Sequence, residues 1–210
     1  MAEGLRERKK QQMRQQIAEI ARRRFAEDGF ERVTVAEIAR EAEVSEKTVF
    51  NYFPTKEDLV YWQLESFEQA LLGTVRDRAA GESALSAFAR FVLAPRGMLG
   101  EVDEATREEL TALTRTIATS PALLAREQQI FEGYTRSLAA LLEAEGAPHV
   151  QSWVAANAMM GVHRSLVDYA RRRILDGARH PAIAAAVRAE AEEALALLER
   201  GLGAYAVKAG

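Results

Sequence analysis

The chain has 210 residues and a formal net charge of −3 from 28 basic and 31 acidic side chains, with three histidines and no cysteine. Its length and 48% hydrophobic content are those of a globular protein with a full core, and the missing cysteines exclude disulfides, thiolate nucleophiles, iron–sulfur clusters and cysteine-bound zinc. The charged start MAEGLRERKKQQ has no signal-peptide core, and no stretch reaches the roughly 18 apolar residues of a membrane span, so a soluble cytoplasmic protein is expected.

In chain order, Ile17, Ile20, Ala21 and Phe25 make the apolar stripe of a first helix that Gly29 ends. Thr34-Val-Ala-Glu37 is a capping box that opens a short helix carrying Val35, Ile38, Ala39 and Ala42. A break at Glu43-Val44 leads to Ser45, an N-cap for a second short helix that Pro54 stops after Phe53. Thr55-Lys-Glu-Asp58 then caps one longer helix carrying Leu59, Val60, Trp62, Leu64, Phe67 and Leu71. Beyond residue 80 the composition turns to Ala, Leu, Glu and Arg. One helix holds Phe88, Phe91 and Val92, and others are expected over 103–119, 121–145, 148–176 and 181–205, three of them opened by Pro121, Pro148 and Pro181. No strand alternation or hairpin turn appears. The expected fold is all-α: a three-helix, helix-turn-helix head over residues 1–55 and a larger helical bundle over 56–210.

Two short helices joined by a tight turn behind a supporting helix are the arrangement in which the second helix enters a DNA major groove. At about 100° per residue, an inward Val49 takes Phe53 with it. Lys47 and Asn51 then point outward, with Thr48 and Phe50 on the flanks. Lysine donates to guanine or phosphate, asparagine to an adenine edge or phosphate, and threonine and phenylalanine meet a thymine methyl. The overall charge near zero reads at first against nucleic acid. Its distribution reverses that: residues 1–24 carry +5, whereas residues 61–210 carry −3. A cationic arm beside a reading head is what phosphate neutralisation requires.

The run TVAEIAREAEVSEKTVFNYFPTKEDLV, with FAEDGFERVTV before it, resembles the DNA-binding head of the TetR family of transcriptional regulators over residues 15–64. Phe50 departs from the pattern, since many members carry tyrosine there. The resemblance implies that Thr34, Ser45, Lys47, Thr48, Phe50, Asn51, Tyr52 and Lys56 lie at the DNA. Thr34, Tyr52 and Lys56 are assigned to phosphates and Lys47, Thr48 and Phe50 to bases, with Asn51 open to either role. Glu46 accepts from a cytosine amine or disfavours wrong sites. The resemblance further implies a homodimer on a palindromic operator, a small-molecule effector and no cofactor. A PALLAR-like stretch (Pro121 to Arg126) also occurs in members that respond to acyl-CoA-type or other lipophilic molecules.

Ile183, Val187, Ala191, Ala194, Leu195, Leu198 and Leu202 form a broad stripe on the last helix, suited either to a dimer bundle or to packing within one chain. The ligand-pocket candidates are Phe88, Phe91, Met98, Thr114, Ile117, Phe131, Tyr134, Trp153, Asn157, Met160, His163 and Arg164, most of which are expected to be ordinary core. Asn157, His163 and Arg164 are polar groups in an apolar helix, open to ligand contact or to internal hydrogen bonds. Arg171, Arg172 and Arg173 suit either a ligand anion or a solvated helix end. An all-α enzyme is the competing class, but no HExxH, P-loop or GxSxG motif is present. A helical protein-interaction scaffold with a degenerate helix-turn-helix is the third.

Overall fold

The computed structural model describes residues 2–95, 104–178 and 180–201, with side chains described from residue 8 onward except at 65, 104–107 and 180. Among the described residues the regular structure is entirely helical. The helices are α1 (Ala2–Asp28), α2 (Val35–Glu41), α3 (Glu46–Tyr52), α4 (Leu64–Arg76), α5 (Ala84–Val92), α6 (Glu104–Thr119), α7 (Pro121–Ala144), α8 (His149–Leu175) and α9 (His180–Arg200). Met98, Leu202 and the expected helix boundaries at Asp103 and Tyr205 lie outside the described residues.

The short helices are set by side-chain caps. Thr34 Oγ1 accepts from the Glu37 amide at 3.3 Å while Glu37 Oε2 accepts from the Thr34 amide at 2.8 Å, closing the capping box at α2. At α3, Ser45 Oγ accepts from the Thr48 amide at 3.1 Å. The turn between these helices is a Schellman closure: the Val44 amide reaches Ala39 O at 2.9 Å and the Glu43 amide reaches Arg40 O at 3.2 Å. Glu43 carries the left-handed residue of that closure, at φ +55°. The ends of α7 and α8 close in the same way, but there Gly146 and Gly177 take the left-handed position.

One expected helix is not continuous. Thr55 and Asp58 do exchange bonds, with the Thr55 amide on Asp58 Oδ2 at 3.0 Å and the Asp58 amide on Thr55 Oγ1 at 3.3 Å. They open only a single 3-10 turn over Glu57–Leu59, and α4 starts at Leu64. The reason is burial. Leu59 and Tyr61 are both inside, at 1% and 8% exposure, and a continuous α-helix turns residues two apart about 200° away from each other.

The chain divides into two compact units, Met1–Glu65 with Glu108–Glu127, and Ser66–Arg107 with Gln128–Gly210. The core of the first holds Ile17, Ala21, Phe25, Phe30, Ile38, Val49, Phe53, Leu59 and Leu123. Three polar ties hold residues 120–126 to the rest of it. Ser120 Oγ donates to Glu31 Oε1 at 2.8 Å, Tyr61 Oη donates to Leu123 O at 2.9 Å, and the Arg126 guanidinium meets Asp58 Oδ1 at 2.8 Å. In the second unit α8 packs along α9, and α5 lies against both. Ile183, Val187, Ala191 and Leu195 of the α9 stripe are buried there within the chain.

Candidate nucleic-acid interface

The α2–turn–α3 segment puts every outward residue of α3 where the sequence places it relative to Val49. Val49 and the C-cap Phe53 are each 1% exposed, whereas Glu46, Lys47, Phe50 and Asn51 are exposed and Thr48 and Tyr52 are half-buried. Phe50 is 45% exposed, an unusual position for a bulky apolar ring and one suited to a methyl or sugar contact. Thr48 Oγ1 lies 2.8 Å from Ser45 Oγ, so both hydroxyls sit at the N-terminal end of the helix. That end carries the positive pole of the helix dipole, favourable to a phosphate.

Thr34 and Lys56, assigned to phosphates on the family resemblance, are also engaged within the head. The Thr34 hydroxyl donates to Glu37 Oε2 at 2.8 Å, and these bonds from Thr34 hold the Glu37 carboxyl below its ordinary value. Lys56 Nζ donates to the Phe30 carbonyl at 2.5 Å and lies 4.2 Å from the Phe30 ring centroid and 5.8 Å from that of Phe25. Partial burial lowers its pKa, and Glu31, Glu57 and Glu37 oppose the shift. Lys56 therefore braces the turn between α1 and α2, a role that the sequence pattern does not assign to it. The signal available was Phe25 and Phe30 flanking Gly29, whose rings meet at 5.0 Å.

The basic arm is not uniform. Arg22 pairs with Glu109, Arg23 with Glu41, and Arg24 with Asp28 at 3.1 Å. These three cations are balanced inside the unit. Arg8, Lys9 and Lys10 are exposed, and Arg14 sets its guanidinium 5.6 Å from the Phe53 ring centroid.

Residues 17–61 match the model of the bacterial regulatory proteins, tetR family. The HTH-type transcriptional regulator TcmR of Streptomyces glaucescens is 32% identical over 146 residues, which cover 67% of this chain and 63% of that protein. The chain belongs to the TetR family. The HTH-type transcriptional regulator LuxR of Vibrio harveyi is 57% identical over 47 residues, 22% of this chain and 23% of that one. The chain thus spans less than two thirds of the length of these curated relatives. NalD, the secondary repressor of the MexAB-OprM multidrug efflux pump in Pseudomonas aeruginosa, shares the fold at a TM-score of 0.55 and 19% identity, over 91% of this chain and 97% of its own.

In this TetR-family chain the expected ligand residues separate. Thr114 and Ile117 belong to the first unit, half-buried and 9% exposed respectively. In the second unit Phe91, Phe131, Tyr134 and His163 come together around Phe67, which the sequence pattern places on a helix but not in a site. Phe67 stacks on His163 at 4.9 Å and on Tyr134 at 5.7 Å, and meets Phe91 edge-on at 5.1 Å. Phe131 meets His163 edge-on at 5.5 Å. Burial, with Arg164 adding to it, pushes the His163 pKa down to about 4, so the ring is neutral at pH 7. Burial also raises the Tyr134 phenol, with Glu68 contributing.

Phe88 and Met160 are buried core, at 1% and 0% exposure. Arg164 donates to Thr135 Oγ1 at 2.9 Å, whereas Asn157 is exposed and donates to its own helix at Trp153 O, 2.8 Å away. These two therefore do not converge, although seven residues separate them. Trp153 meets His149 edge-on at 6.2 Å. Arg172 pairs with Asp168 one turn back on the surface of α8. No group of three or more His, Cys, Asp or Glu residues fit to hold a metal occurs among the described residues. Nor is any helix among them long and apolar enough to cross a membrane.

Proposed function

We propose that this chain is a cytoplasmic, ligand-responsive transcriptional regulator that places α3 in the major groove of a palindromic operator as a homodimer. The observation that carries the reading is the division of α3 between buried Val49 with Phe53 and an exposed row of Lys47, Phe50 and Asn51. Lys47, Thr48 and Phe50 read base edges. Tyr52 and Thr34 meet phosphates, Asn51 meets either, and Glu46 restricts the choice of base. Residues 1–55 supply this head, and the remainder supplies dimerisation and effector binding.

The dimer surface is a face that the chain's own packing leaves uncovered. Val150 and Val154 of α8 are 70% and 65% exposed. Asn157 continues their row, and Ala182, Ala185 and Ala189 are exposed on α9. Small and branched apolar groups at helical spacing allow close helix–helix approach across a two-fold axis. Two heads on such an axis match half-sites about 34–36 Å apart or a multiple of that. The aromatic cluster around Phe67 and His163 favours a small hydrophobic effector, acyl-CoA-like or otherwise lipophilic, because it offers ring faces and few polar groups. Effector binding that favours a state with mismatched heads releases the operator, and a coupling of about 1–3 kcal/mol changes affinity roughly 5- to 150-fold. This is repression relieved by ligand.

The test is titration of the protein against palindromic and random duplexes over a range of salt. Steep salt dependence and strong preference for one palindrome are expected, with at least a tenfold loss in a Lys47→Ala, Tyr52→Ala double variant. A loss of twofold or less in that variant counts against the assigned reading surface. Mass spectrometry of small molecules that co-purify with the protein, followed by their addition to the operator complex, tests the effector.

A further inference from the structure

The first unit holds a cleft of about 370 Å³ between α1 and α6, at the small end of the roughly 300–1,000 Å³ of ligand sites. None of the residues that line it is assigned above to a base, a phosphate or the effector. Arg22, Arg23, Ala26 and Glu27 share one face of α1, and Leu113 and Thr116 share one face of α6. Arg22 pairs with Glu109, and Ser120, just past α6, donates to Glu31, just past α1, at 2.8 Å. The two helices therefore run in the same direction along the cleft, which brings Glu27 near the level of Thr116. From Glu19 to Glu27 the α1 wall is about 12 Å long, at about 1.5 Å per residue, a length for a small molecule.

The charges decide what the cleft takes. Both of its cations are already balanced, Arg22 by Glu109 and Arg23 by Glu41. Glu27 has no ion pair or hydrogen bond among the described residues. Thr116 Oγ1 donates to Ala112 O at 3.0 Å, so what it offers the cleft is its lone pairs. Glu27 and Thr116 thus both accept, and neither donates. Between them and the Arg22–Glu109 pair the lining is Ala26, Leu113 and the buried Phe25. We propose that this cleft binds a small amphipathic organic cation, an amine whose ammonium meets Glu27 and Thr116 while its apolar body lies on Ala26, Leu113 and Phe25. An ammonium has donors and no acceptor, the complement of those two groups. An anion finds no unpaired cation there, and a neutral apolar molecule makes no use of Glu27. The site goes beyond the DNA-binding reading and does not depend on it. It adjoins the helix-turn-helix, because Arg23 of the same wall pairs with Glu41, the last residue of α2.

The experiment is a proton–nitrogen NMR titration of the full chain with phenylbutylammonium, phenylbutanol and phenylbutanoate, which share one apolar body and differ in charge. The cation is expected to bind tightest and the carboxylate weakest, with amide shifts at Ala26, Glu27 and Leu113. Glu27→Gln is expected to weaken the cation by roughly threefold, the size of one solvent-exposed ion pair, and to leave the alcohol unchanged. Glu27→Asp is expected to keep the preference for the cation. Ala26 is exposed, so Ala26→Trp fills the cleft without entering the core and should remove the shifts for all three probes. Circular-dichroism melting checks that each variant folds. Equal binding of the three probes, a cation preference that survives Glu27→Gln, or shifts confined to the second unit overturns the proposal. If Ala26→Trp does not fold, the two Glu27 variants with the three probes still decide it.

Discussion

The two units differ in how their helices are defined and therefore in how they respond to change. In the first, α2 and α3 are seven residues each, too short to persist by propensity alone, and caps and a Schellman turn fix their ends. Side chains at the helix starts there bond within three residues, as Thr34 does with Glu37, Ser45 with Thr48 and Thr55 with Asp58. In the second, α8 runs 27 residues and α9 runs 21. Their ends are marked by proline and glycine, and their character comes from residues far apart in sequence, such as Phe67 with His163. Local bonding fixes the α2–α3 surface within a few residues, whereas non-local aromatic packing builds the interior of the second unit.

The most severe test of this contrast is Phe53→Ala. That ring is 1% exposed, caps α3 and carries Arg14, so its loss should destabilise the first unit by about 3–5 kcal/mol. Calorimetry should show the transition of the first unit moving while the second holds. If both units fall together by the same amount, the division into separately built parts is wrong.

His163 gives the next largest effect, and one with a sign. Its pKa in the folded chain is about 4, below the 6.5 of an unperturbed imidazole. The unfolded chain therefore takes up the proton first. The stability this ring contributes is present above pH 6.5 and is lost as pH falls toward 4, by about 2 kcal/mol for a partly buried ring. Urea unfolding at pH 7 and pH 4.5 measures it. In His163→Phe this component of the acid sensitivity should vanish while the aromatic packing is retained.

Smaller effects distinguish the caps. Thr34→Ala removes the oxygen that the Glu37 amide uses and should cost about 1 kcal/mol in denaturant unfolding. Glu43→Gly should do the opposite, because a side chain at φ +55° costs roughly 1–2 kcal/mol that glycine escapes, less the entropy glycine adds to the unfolded chain. A net gain of up to about 1 kcal/mol is expected. Least of all, Arg172→Ala breaks only an exposed pair with Asp168 and should stay within about 0.5 kcal/mol of the parent.

Much of the reading surface is legible from single positions. The box at Thr34, the cap at Ser45, the inward Val49 and Phe53 and the outward Lys47 and Asn51 all come from spacing over a few residues, because a short capped helix has one phase. Legibility ends first where two buried residues, Leu59 and Tyr61, sit two apart and break the helix that the Thr55 and Asp58 cap predicts. Nor does local spacing show that Lys56 braces Phe30, since that bond joins positions 26 residues apart. In the second unit the stripe on α9 is visible, but not whether another helix of the same chain or a second chain would cover it.

Sequence by itself determined the helical class, the ends of the short helices, the outward row of α3 and the concentration of positive charge in the first 24 residues, whose net charge is +5. Each depends on neighbours within one or two turns, where the backbone fixes the geometry. Tertiary structure alone decided that Arg22 and Arg23 are balanced by carboxylates of other helices while Lys9 and Lys10 stay exposed on the arm. It likewise decided that Phe67, remote from Tyr134 and His163 in sequence, is the ring they share. A charge count adds residues without regard to where their partners fold, and pairing in space is what separates a neutralised cation from one that can meet a phosphate.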